Sequence, residues 1–469
     1  MPNPWHPLGL LEPVSRITVI KTIKQLFSAW RSGHTRLRNL DLGVRTIDGE
    51  PTRRHVMLNT TQRTMHIAVV GKSGSGKSSL LKYMARQDIE ADRGFVYFDL
   101  HGDATPFLLR CIAARERKYR RHLSDKLIVI APGDPELSVG LNPLEQEAPD
   151  FVRIAEFAEL LKHRWHLSHF GARTEELLRN ALFVLSANGL TLLELAPLLT
   201  HAAFRAACVK RVTNEEVRDY FETRYDQFTE MLRTSMREPI LNKISAFTAD
   251  SRFRHIVGQE RSTFSLKQAM DEGHWIIVDL QKGKLGEEAL TLGSLVFTML
   301  KNALFTRDKR ALYTLYCDEI QNLVPYSGHG IETVLSEARK FGVGIVSANQ
   351  FLDQLAPEMR AAILAAGTHL FFQLSSVDAG PVAQAFDGGG SLAYRLKNLP
   401  QRHCIVKIGV ERWTEVMVPE VQTPRVDYTD LLNRSRYARG RVRAHIDRDI
   451  AKRHESARRK PDDILHAWN

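Results

Sequence analysis

The octapeptide GKSGSGKS at residues 71–78 decides the fold. It fits the pattern G-x-x-x-x-G-K-[ST], with the four fixed positions at Gly71, Gly76, Lys77 and Ser78. The apolar run IAVV precedes it and is typical of a parallel strand that is buried on both faces. The stretch SLLKYM follows and continues as a helix. Strand, loop and helix therefore stand in the order that a phosphate-cradling loop requires, and a Gly/Ser turn between two core elements is the alternative.

The chemistry that this loop predicts is the binding of a nucleotide polyphosphate, ATP, together with Mg²⁺. Glycines let backbone N–H groups approach the phosphates, and the following helix directs its positive N-terminal end at them. Lys77 is expected to reach the β- and γ-phosphates, and the Ser78 hydroxyl to ligate the Mg²⁺ ion. The residues predicted to contact the nucleotide are Gly71, Ser73, Gly74, Ser75, Gly76, Lys77, Ser78 and Ser79.

The charge balance indicates a class of partner. The 469 residues carry a formal net charge of +11, which favours a polyanion, either nucleic acid or an anionic membrane surface. The four cysteines lie far apart and form no C-x-x-C pair, so neither a zinc site nor a disulfide framework is expected, and a reducing cytoplasm fits. We expect no signal peptide, because the first residues show no basic region followed by a long apolar core, and no transmembrane helix, because no window approaches 18 consecutive apolar residues.

Short apolar runs alternate with helical patterns along most of the chain. After IAVV, strands are predicted in the stretches GFVYFDLHGD, KLIVIA, HWIIVDL, YTLYC, VGIVS, HLFFQL and CIVKIGV. From residue 146 to residue 262 helical periodicity dominates, which predicts an inserted all-α domain. The fold class predicted is α/β, with a mostly parallel, doubly wound sheet flanked by helices.

The predicted domain organisation has five parts. These are an N-terminal helix with short strands (1–60), the first part of the α/β domain (61–145), the inserted all-α domain (146–262), the second part of the α/β domain (263–430) and a basic C-terminal tail (431–469).

Both termini allow two interpretations. The amphipathic pattern from Val14 to Trp30 predicts a packing helix, and a helix that docks on a membrane surface or a partner is the alternative. Residues 431–460 carry eleven Lys or Arg against three acids, which predicts a solvated, partly disordered tail. A basic arm that contacts nucleic acid is compatible with that interpretation.

Two consecutive acids provide the second half of a hydrolytic site. The strand pattern LYTLYC ends at Asp318 and Glu319. Asp318 is expected to hold the Mg²⁺ ion, and Glu319 to orient and deprotonate the attacking water. A strand that ends in two acids also occurs as a helix cap, so the prediction depends on the pairing with the P-loop.

Two further residues are candidates for sensing and stabilising the reacting phosphate. Gln350 follows a third strand, GIVSAN, whose polar end is expected to reach the same pocket and sense the γ-phosphate; an ordinary loop glutamine is the alternative. Arg339 lies on the flank of the apolar stripe of a helix predicted at 331–340. It is a surface charge, a cap of the helix C-terminus, or an arginine finger for a neighbouring subunit.

These motifs, in this order, resemble the HerA/FtsK superfamily. The stretches that carry the likeness are GKSGSGKSSL, YFDLHGD, LNPL, DEGHWIIVDLQKGKLGEEA, YCDEIQNLV, LSEARKFGVGIVSANQ and DAGPVAQAF. Within that superfamily the likeness is to conjugative coupling ATPases of the TraG/TraD type and to HerA-like ATPases. Coupling proteins usually begin with transmembrane helices, which are not predicted here, and Leu100 stands where the family's strand motif often has proline.

The resemblance implies a RecA-like P-loop NTPase domain interrupted by an all-α domain and assembled as a homo-oligomeric ring, usually a hexamer, around DNA. By its place eleven residues before Gln350, Arg339 matches the family's arginine finger. The function implied is an ATP-driven DNA translocase, cytoplasmic or at the inner membrane through a separate membrane, relaxase or nuclease partner. The alternatives are a scaffold ATPase that regulates a partner such as a nuclease in DNA processing or antiphage defence, and a secretion ATPase for protein substrates.

Overall fold

The structure is a computed structural model that describes residues 39–47, 49–145, 151–324, 331–353 and 355–458. Its strands are β1 Leu40–Ile47, β2 Glu50–Leu58, β3 Ile67–Val70, β4 Gly94–Asp99, β5 Leu127–Ile130, β6 Leu137–Ser138, β7 Trp275–Asp279, β8 Tyr313–Asp318, β9 Val343–Asn349, β10 Thr368–Phe371, β11 His403–Ile408, β12 Thr414–Met417 and β13 Arg441–Val442.

The α-helices, in chain order, are α1 Thr60–Thr64, α2 Lys77–Glu90, α3 Ala104–Tyr119, α4 Phe151–Arg164, α5 Ala172–Ala187, α6 Leu195–Thr200, α7 Ala202–Val209, α8 Glu215–Asp219, α9 Glu230–Ala249, α10 Ser251–Val257, α11 Leu266–Asp271, α12 Lys282–Leu285, α13 Glu288–Phe305, α14 Ile331–Glu337, α15 Pro357–Leu364, α16 Ser376–Ala385, α17 Gly389–Lys397, α18 Thr429–Arg439 and α19 Arg443–Arg458. Short 3-10 turns cover Ser124–Lys126, Leu167–Phe170, Leu192–Glu194, Ile320–Asn322 and Ala338–Phe341, and a π-helical turn covers Tyr220–Tyr225.

One sheet of eleven strands organises the described residues, in the order β2-β1-β12-β11-β10-β3-β9-β8-β4-β7-β5. From β10 through to β5, each strand is parallel to the next one in this order. The P-loop strand β3 lies between β10 and β9, and β8 lies between β9 and β4. The carboxyl ends of β3, β8 and β9 therefore meet at one edge of the sheet, where α/β folds place their ligands. All seven strands predicted after IAVV are present, and the mostly parallel α/β fold is confirmed.

The parallel strands are apolar throughout because helices cover both faces of the sheet. Along β4, Val96 and Phe98 join one hydrophobic cluster, and Phe95 and Tyr97 join another on the opposite face. The second cluster includes the apolar stripes of α2 and α3, so the helix after the P-loop is fixed directly against the sheet.

The other edge of the sheet is antiparallel, a feature that the sequence patterns did not indicate. β10 pairs with β11, β11 with β12, β12 with β1 and β1 with β2, all antiparallel. The short strands predicted within residues 1–60 are the long β1–β2 hairpin, which α1 follows.

The segment predicted as all-α is helical from α4 to α10 in its described residues. Its apolar residues share one cluster with a face of the sheet and with α13. The division into five domains stays a prediction. The helix predicted from Val14 to Trp30 lies outside the described residues.

The prediction of a solvated C-terminal tail is wrong for the residues up to 458, which form α18 and α19 on the body of the protein. The Ser435 hydroxyl donates to the Leu127 carbonyl oxygen at the end strand β5, at 2.7 Å. Ile446 and Ile450 of α19 pack on Leu193. This hydrogen bond and these apolar contacts hold the segment against the body of the protein.

Three arginines of the C-terminal segment pair with acids elsewhere in the chain, which helps this basic segment to fold back on the body of the protein. Arg453 donates to Glu194 Oε1 at 3.0 Å, and the Glu194 side chain is 1% exposed. Arg434 pairs with Glu116, and Arg436 pairs with Asp134.

Among the residues that the structure describes, no single helix has the length and apolarity needed to cross a membrane. One bent pair, Leu192–Thr200 with Ala202–Val209, passes that test together, by length and composition alone.

Candidate functional site

The P-loop connects β3 to α2 in a conformation that its glycines permit. Gly76, directly before α2, has a φ of 121°, in the left-handed region that side chains other than glycine avoid. At Gly71 a Cβ atom would lie 2.5 Å from the Cβ atom of Phe372, so only glycine lets the loop pack against the end of β10. The two glycines thus set both the curvature of the loop and its close contact with the sheet.

Lys77 points back into the loop. Its Nζ donates to the carbonyl oxygens of Gly71, at 2.5 Å, and of Lys72, at 3.0 Å, and the residue is only 7% exposed. Burial lowers the pKa of the Lys77 amine, while the nearby charges of Asp318 and Glu319 raise it. The ammonium group is therefore held at the mouth of the loop, facing the carboxylates at the end of β8.

Ser78 and Asp318 bring the two halves of the site together. The Ser78 hydroxyl donates to Asp318 Oδ2 at 3.2 Å, across 240 residues of sequence. Burial raises the pKa of the Asp318 carboxyl group; Lys77 lowers that pKa and Glu319 raises it. A buried carboxylate oxygen beside a hydroxyl oxygen is the kind of ligand pair that Mg²⁺ takes in proteins.

Glu319 has an unusual backbone conformation. Its φ is 52° and its ψ is 56°, a left-handed conformation that costs a residue other than glycine about 1–3 kcal/mol. The turn is fixed by its N–H group, which donates to the Ala348 carbonyl oxygen at 2.8 Å. Both side-chain oxygens accept amide hydrogen bonds, Oε1 from Gln350 and Oε2 from Asn322, each at 2.8 Å. The neighbouring strand β9 therefore supplies groups that hold Glu319 in place.

A cavity of about 280 Å³ lies between these groups. Its lining consists of Ser73, Gly74, Gly76, Lys77, Ser78, Ser79, His101, Asp318, Glu319, Gln350 and Gln401. Nine of these eleven residues were predicted from the sequence. The other two predicted loop residues, Gly71 and Ser75, form the frame of the loop, where the Ser75 hydroxyl donates to the Lys72 carbonyl oxygen at 2.7 Å.

Two lining residues were not predicted, for different reasons. Gln401 donates to the Gly74 carbonyl oxygen at 3.1 Å, and the Arg402 N–H group donates to the Ser75 carbonyl oxygen at 2.8 Å. The turn before β11 thus contacts the P-loop, although Gln401 and Gly74 are 327 positions apart in sequence. No local sequence pattern predicts this contact. His101 lies in YFDLHGD, one of the stretches that carry the family likeness, so a signal for it was present.

Arg339 is the one predicted site residue that lies outside this cavity and its loop. It is exposed and precedes β9, whereas Glu319 and Gln350 follow the strands that carry them. It lines a different cavity of about 450 Å³, together with His66 and Gly367, at the amino edge of the parallel strands. Within one chain, the structure does not bring Arg339 to the P-loop.

A metal ion at the P-loop would depend on few protein ligands. In the described ranges, no group of three or more His, Cys, Asp and Glu side chains is arranged to hold one. Ser78 and Asp318 are the candidate ligands, with the remaining positions left to a nucleotide and water.

The central parallel sheet, the P-loop between β3 and α2, and the acids at the end of β8 define a P-loop nucleotide-binding protein of the RecA-like type. The family model described as "Helicase HerA, central domain" matches residues 49–298, more than half of the chain. The chain belongs to this family, as the resemblance implied.

Solved structures with this fold cover most of the chain at low sequence identity. The bacterial conjugative coupling protein TrwBdeltaN70 in an unbound form matches with a TM-score of 0.55 and 15% identity, over 82% of this chain and 96% of that one. The plasmid coupling protein TrwB in complex with ADP and Mg²⁺ matches with a TM-score of 0.57 and 15% identity, over 83% and 97%.

A third solved structure, VirB4 of Thermoanaerobacter pseudethanolicus, matches with a TM-score of 0.54 and 17% identity, over 82% of this chain and 98% of that one. No curated protein matches the chain. At these identities the structural likeness shows the fold, and the residue roles rest on the geometry described above.

Proposed function

We propose that the protein is an ATP-driven DNA translocase that hydrolyses ATP at the subunit interfaces of a homo-oligomeric ring. One observation carries the hydrolytic part. Lys77, Ser78, Asp318 and Glu319 line a single cavity, and Gln350 holds the carboxylate of Glu319. Phosphoryl transfer to water uses these groups together with an arginine that neutralises the charge developing in the transition state, and no arginine of the described residues lines this cavity.

The residues of the cavity fit ATP with Mg²⁺. The Lys77 amine is held by two carbonyl oxygens, which phosphate oxygens can replace, and the first residues of α2 line the same cavity. Ser78 and Asp318 would hold the metal ion. When bound, Mg²⁺ would neutralise charge on the β- and γ-phosphates.

The remaining chemistry belongs to Glu319 and its partners. Its carboxylate orients a water molecule and accepts the proton as the water oxygen attacks the γ-phosphorus, while the bond to the β–γ bridging oxygen breaks and ADP leaves. Gln350 and Asn322 fix the direction of the carboxylate, and the left-handed backbone of Glu319 turns it toward the cavity and away from the strand axis. The Glu319 carboxylate is therefore already oriented for water attack before the nucleotide binds.

The lack of an arginine in the lining of this cavity supports a site between subunits. Arg339 lies at the amino edge of the parallel strands and Lys77 at the carboxyl edge, so Arg339 serves the nucleotide of a neighbouring copy. An interface that pairs one surface of a subunit with a different surface of the next is heterologous, and such interfaces form a ring when the rotation between subunits closes. A hexamer is the ring that we propose.

The proposed polymer is DNA, contacted through its phosphates without reading of sequence. The net charge of +11 supports a polyanionic partner, and two of the solved relatives are named as coupling proteins of plasmids or conjugation. We also propose that the ring works with a separate partner, which is a membrane protein, a relaxase or a nuclease.

The experiment is ATP hydrolysis with and without DNA, run with particle imaging and a strand-translocation assay. DNA-stimulated turnover by ring-shaped particles, lost in Glu319→Gln, supports the proposal. If ring-shaped particles hydrolyse ATP at a rate that does not change with DNA, and they do not translocate DNA, the proposed motor function is contradicted. The scaffold and protein-secretion alternatives would then be supported.

A further inference from the structure

His66 stands at the start of the P-loop strand and is enclosed by backbone groups from two other elements. It is 5% exposed, and its φ of 67° places it in the left-handed region. The Ile345 N–H group in β9 donates to His66 Nδ1 at 3.1 Å. The proton of the neutral ring is therefore on Nε2, which donates to the Leu335 carbonyl oxygen at 2.6 Å.

The Leu335 contact places His66 one helical turn from the proposed arginine finger. Leu335 belongs to α14, and Arg339 follows four residues later, in the 3-10 turn that continues this helix. His66, Leu335 and Arg339 line the same cavity of about 450 Å³. A hydrogen bond at the Leu335 carbonyl therefore fixes the last turn before Arg339.

The segment that carries His66 is itself anchored to the nucleotide site. The Arg63 carbonyl accepts from the His66 N–H group at 3.2 Å. The Arg63 side chain, 2% exposed, donates to both oxygens of Asp88 in α2, at 2.8 and 2.6 Å, and to the Thr314 hydroxyl in β8 at 2.8 Å. His66 thus sits on a rigid support that is shared with α2 and β8.

The charge state of His66 suits a fixed support. Burial lowers the pKa of the imidazole to about 4, the Leu335 hydrogen bond raises it and the charge of Arg339 lowers it further. A protonated ring would set a donor at Nδ1 against the Ile345 N–H group. The ring therefore stays neutral at physiological pH and keeps one acceptor and one donor in place.

We propose that His66 is a positioning residue for Arg339: its hydrogen bond to the Leu335 carbonyl sets where the arginine is presented to the neighbouring subunit. The proposal rests on the proposed function, in which Arg339 acts in trans. The competing role is local, because His66 directly precedes β3 and its displacement could instead disturb the P-loop of its own subunit.

Two substitutions separate the two hydrogen bonds of His66. His66→Asn keeps an acceptor near the Nδ1 position, and asparagine tolerates a positive φ, but its side chain is too short to reach Leu335. His66→Gln places an amide donor near the Nε2 position and keeps that reach. We expect His66→Asn to lower the turnover number about tenfold or more with nucleotide affinity unchanged, and His66→Gln to remain within about threefold of the wild type.

Mixed rings show which subunit the loss belongs to. In a 1:1 mixture of Arg339→Ala and Glu319→Gln, about one interface in four joins an intact pocket to an intact arginine, and turnover should return. This mixture tests the proposed function by itself. If it fails with mixing confirmed by native mass spectrometry, Arg339 does not act in trans as proposed.

With that control positive, His66→Asn should behave as a subunit with a good pocket and a poor arginine. Mixed with Glu319→Gln it should regain turnover, and mixed with Arg339→Ala it should not. The reverse pattern would place the defect in the subunit's own P-loop and overturn the positioning role. Recovery in neither mixture, or equal losses in His66→Asn and His66→Gln, would also overturn it.

Discussion

Gln350 donates its side-chain N–H group to Glu319 Oε1 over 2.8 Å, which joins the end of β9 to the end of β8. The other oxygen of Glu319 accepts from Asn322 at the same distance. Because the Gln350 amide has a second hydrogen, it can hold Glu319 and still face a phosphate in the cavity. Loss of the phosphate would then change the contacts of Gln350, which orients Glu319, the proposed base.

Gln350→Ala should lower the turnover number about tenfold with little change in KM, because it removes one of two hydrogen bonds that orient Glu319, worth about 1–1.5 kcal/mol. Steady-state ATP hydrolysis over a range of ATP concentrations measures the two constants separately. A rise in KM at an unchanged turnover number would show that Gln350 contributes to ground-state binding only.

Glu319→Gln should bind ATP with near-normal affinity and hydrolyse it about 100-fold more slowly or worse, since the ligands Ser78 and Asp318 remain while the general base is gone. Equilibrium binding of a labelled ATP analogue and single-turnover hydrolysis measure the two effects. Near-normal turnover would assign the base to another group.

Lys77→Ala should abolish detectable nucleotide binding, because it removes the buried ammonium group that faces the proposed phosphate site. Lys72→Ala is the matched control in the same loop, since the hydrogen bonds of Lys72 at this site come from its backbone N–H and carbonyl groups. Calorimetric titration with ATP should separate the two variants, and equal losses would mean that the loop tolerates no change at either position.

The central sheet and most of the site could be predicted because their signals are local. A strand covered on both faces must be apolar at successive positions, as Phe95 to Phe98 are, and a P-loop must keep glycine where its backbone turns. The outer strands of the antiparallel edge give no such signal: the β12 sequence TEVM is short and has a single fully buried side chain, Val416.

Other features depend on contacts between distant parts of the chain. Gln401, in the turn before β11, contacts the P-loop, and Arg453 donates a hydrogen bond to Glu194, 259 positions earlier in the sequence. Charge alone predicts that residues 431–460 are solvated, because Glu116, Asp134 and Glu194, which pair with three of those arginines, are far from them in sequence. The position of Arg339 relative to a neighbour lies beyond a single chain in the same way.

Helix α19 presents two kinds of basic residue, which should separate stability from DNA binding. Arg453→Gln should destabilise the protein by about 3 kcal/mol, because it leaves the buried Glu194 carboxylate without its guanidinium partner.

The exposed pair Arg448→Gln and Lys452→Gln should leave thermal stability unchanged and weaken DNA binding. The slope of log K against log salt should become shallower by about 0.9 for each DNA phosphate that the helix no longer neutralises. An unchanged slope would remove this helix from the DNA interface.

His66 also predicts how stability changes with pH. The folded state keeps the imidazole neutral down to a pKa of about 4, whereas the unfolded chain protonates it near its ordinary value of 6.5. Between these values the unfolded state binds more protons, so the contribution of His66 to stability is fully present above pH 6.5 and is lost progressively as the pH falls toward 4.

From pH 7 to pH 5 the loss of folding stability should be about 2 kcal/mol. His66→Gln should not show this loss, because glutamine keeps the hydrogen bond to Leu335 without a titrating group. Denaturant unfolding of both proteins at the two pH values measures the difference, with other titrating groups common to both. Parallel losses in the two proteins would show that His66 protonates as readily in the folded state as in the unfolded chain.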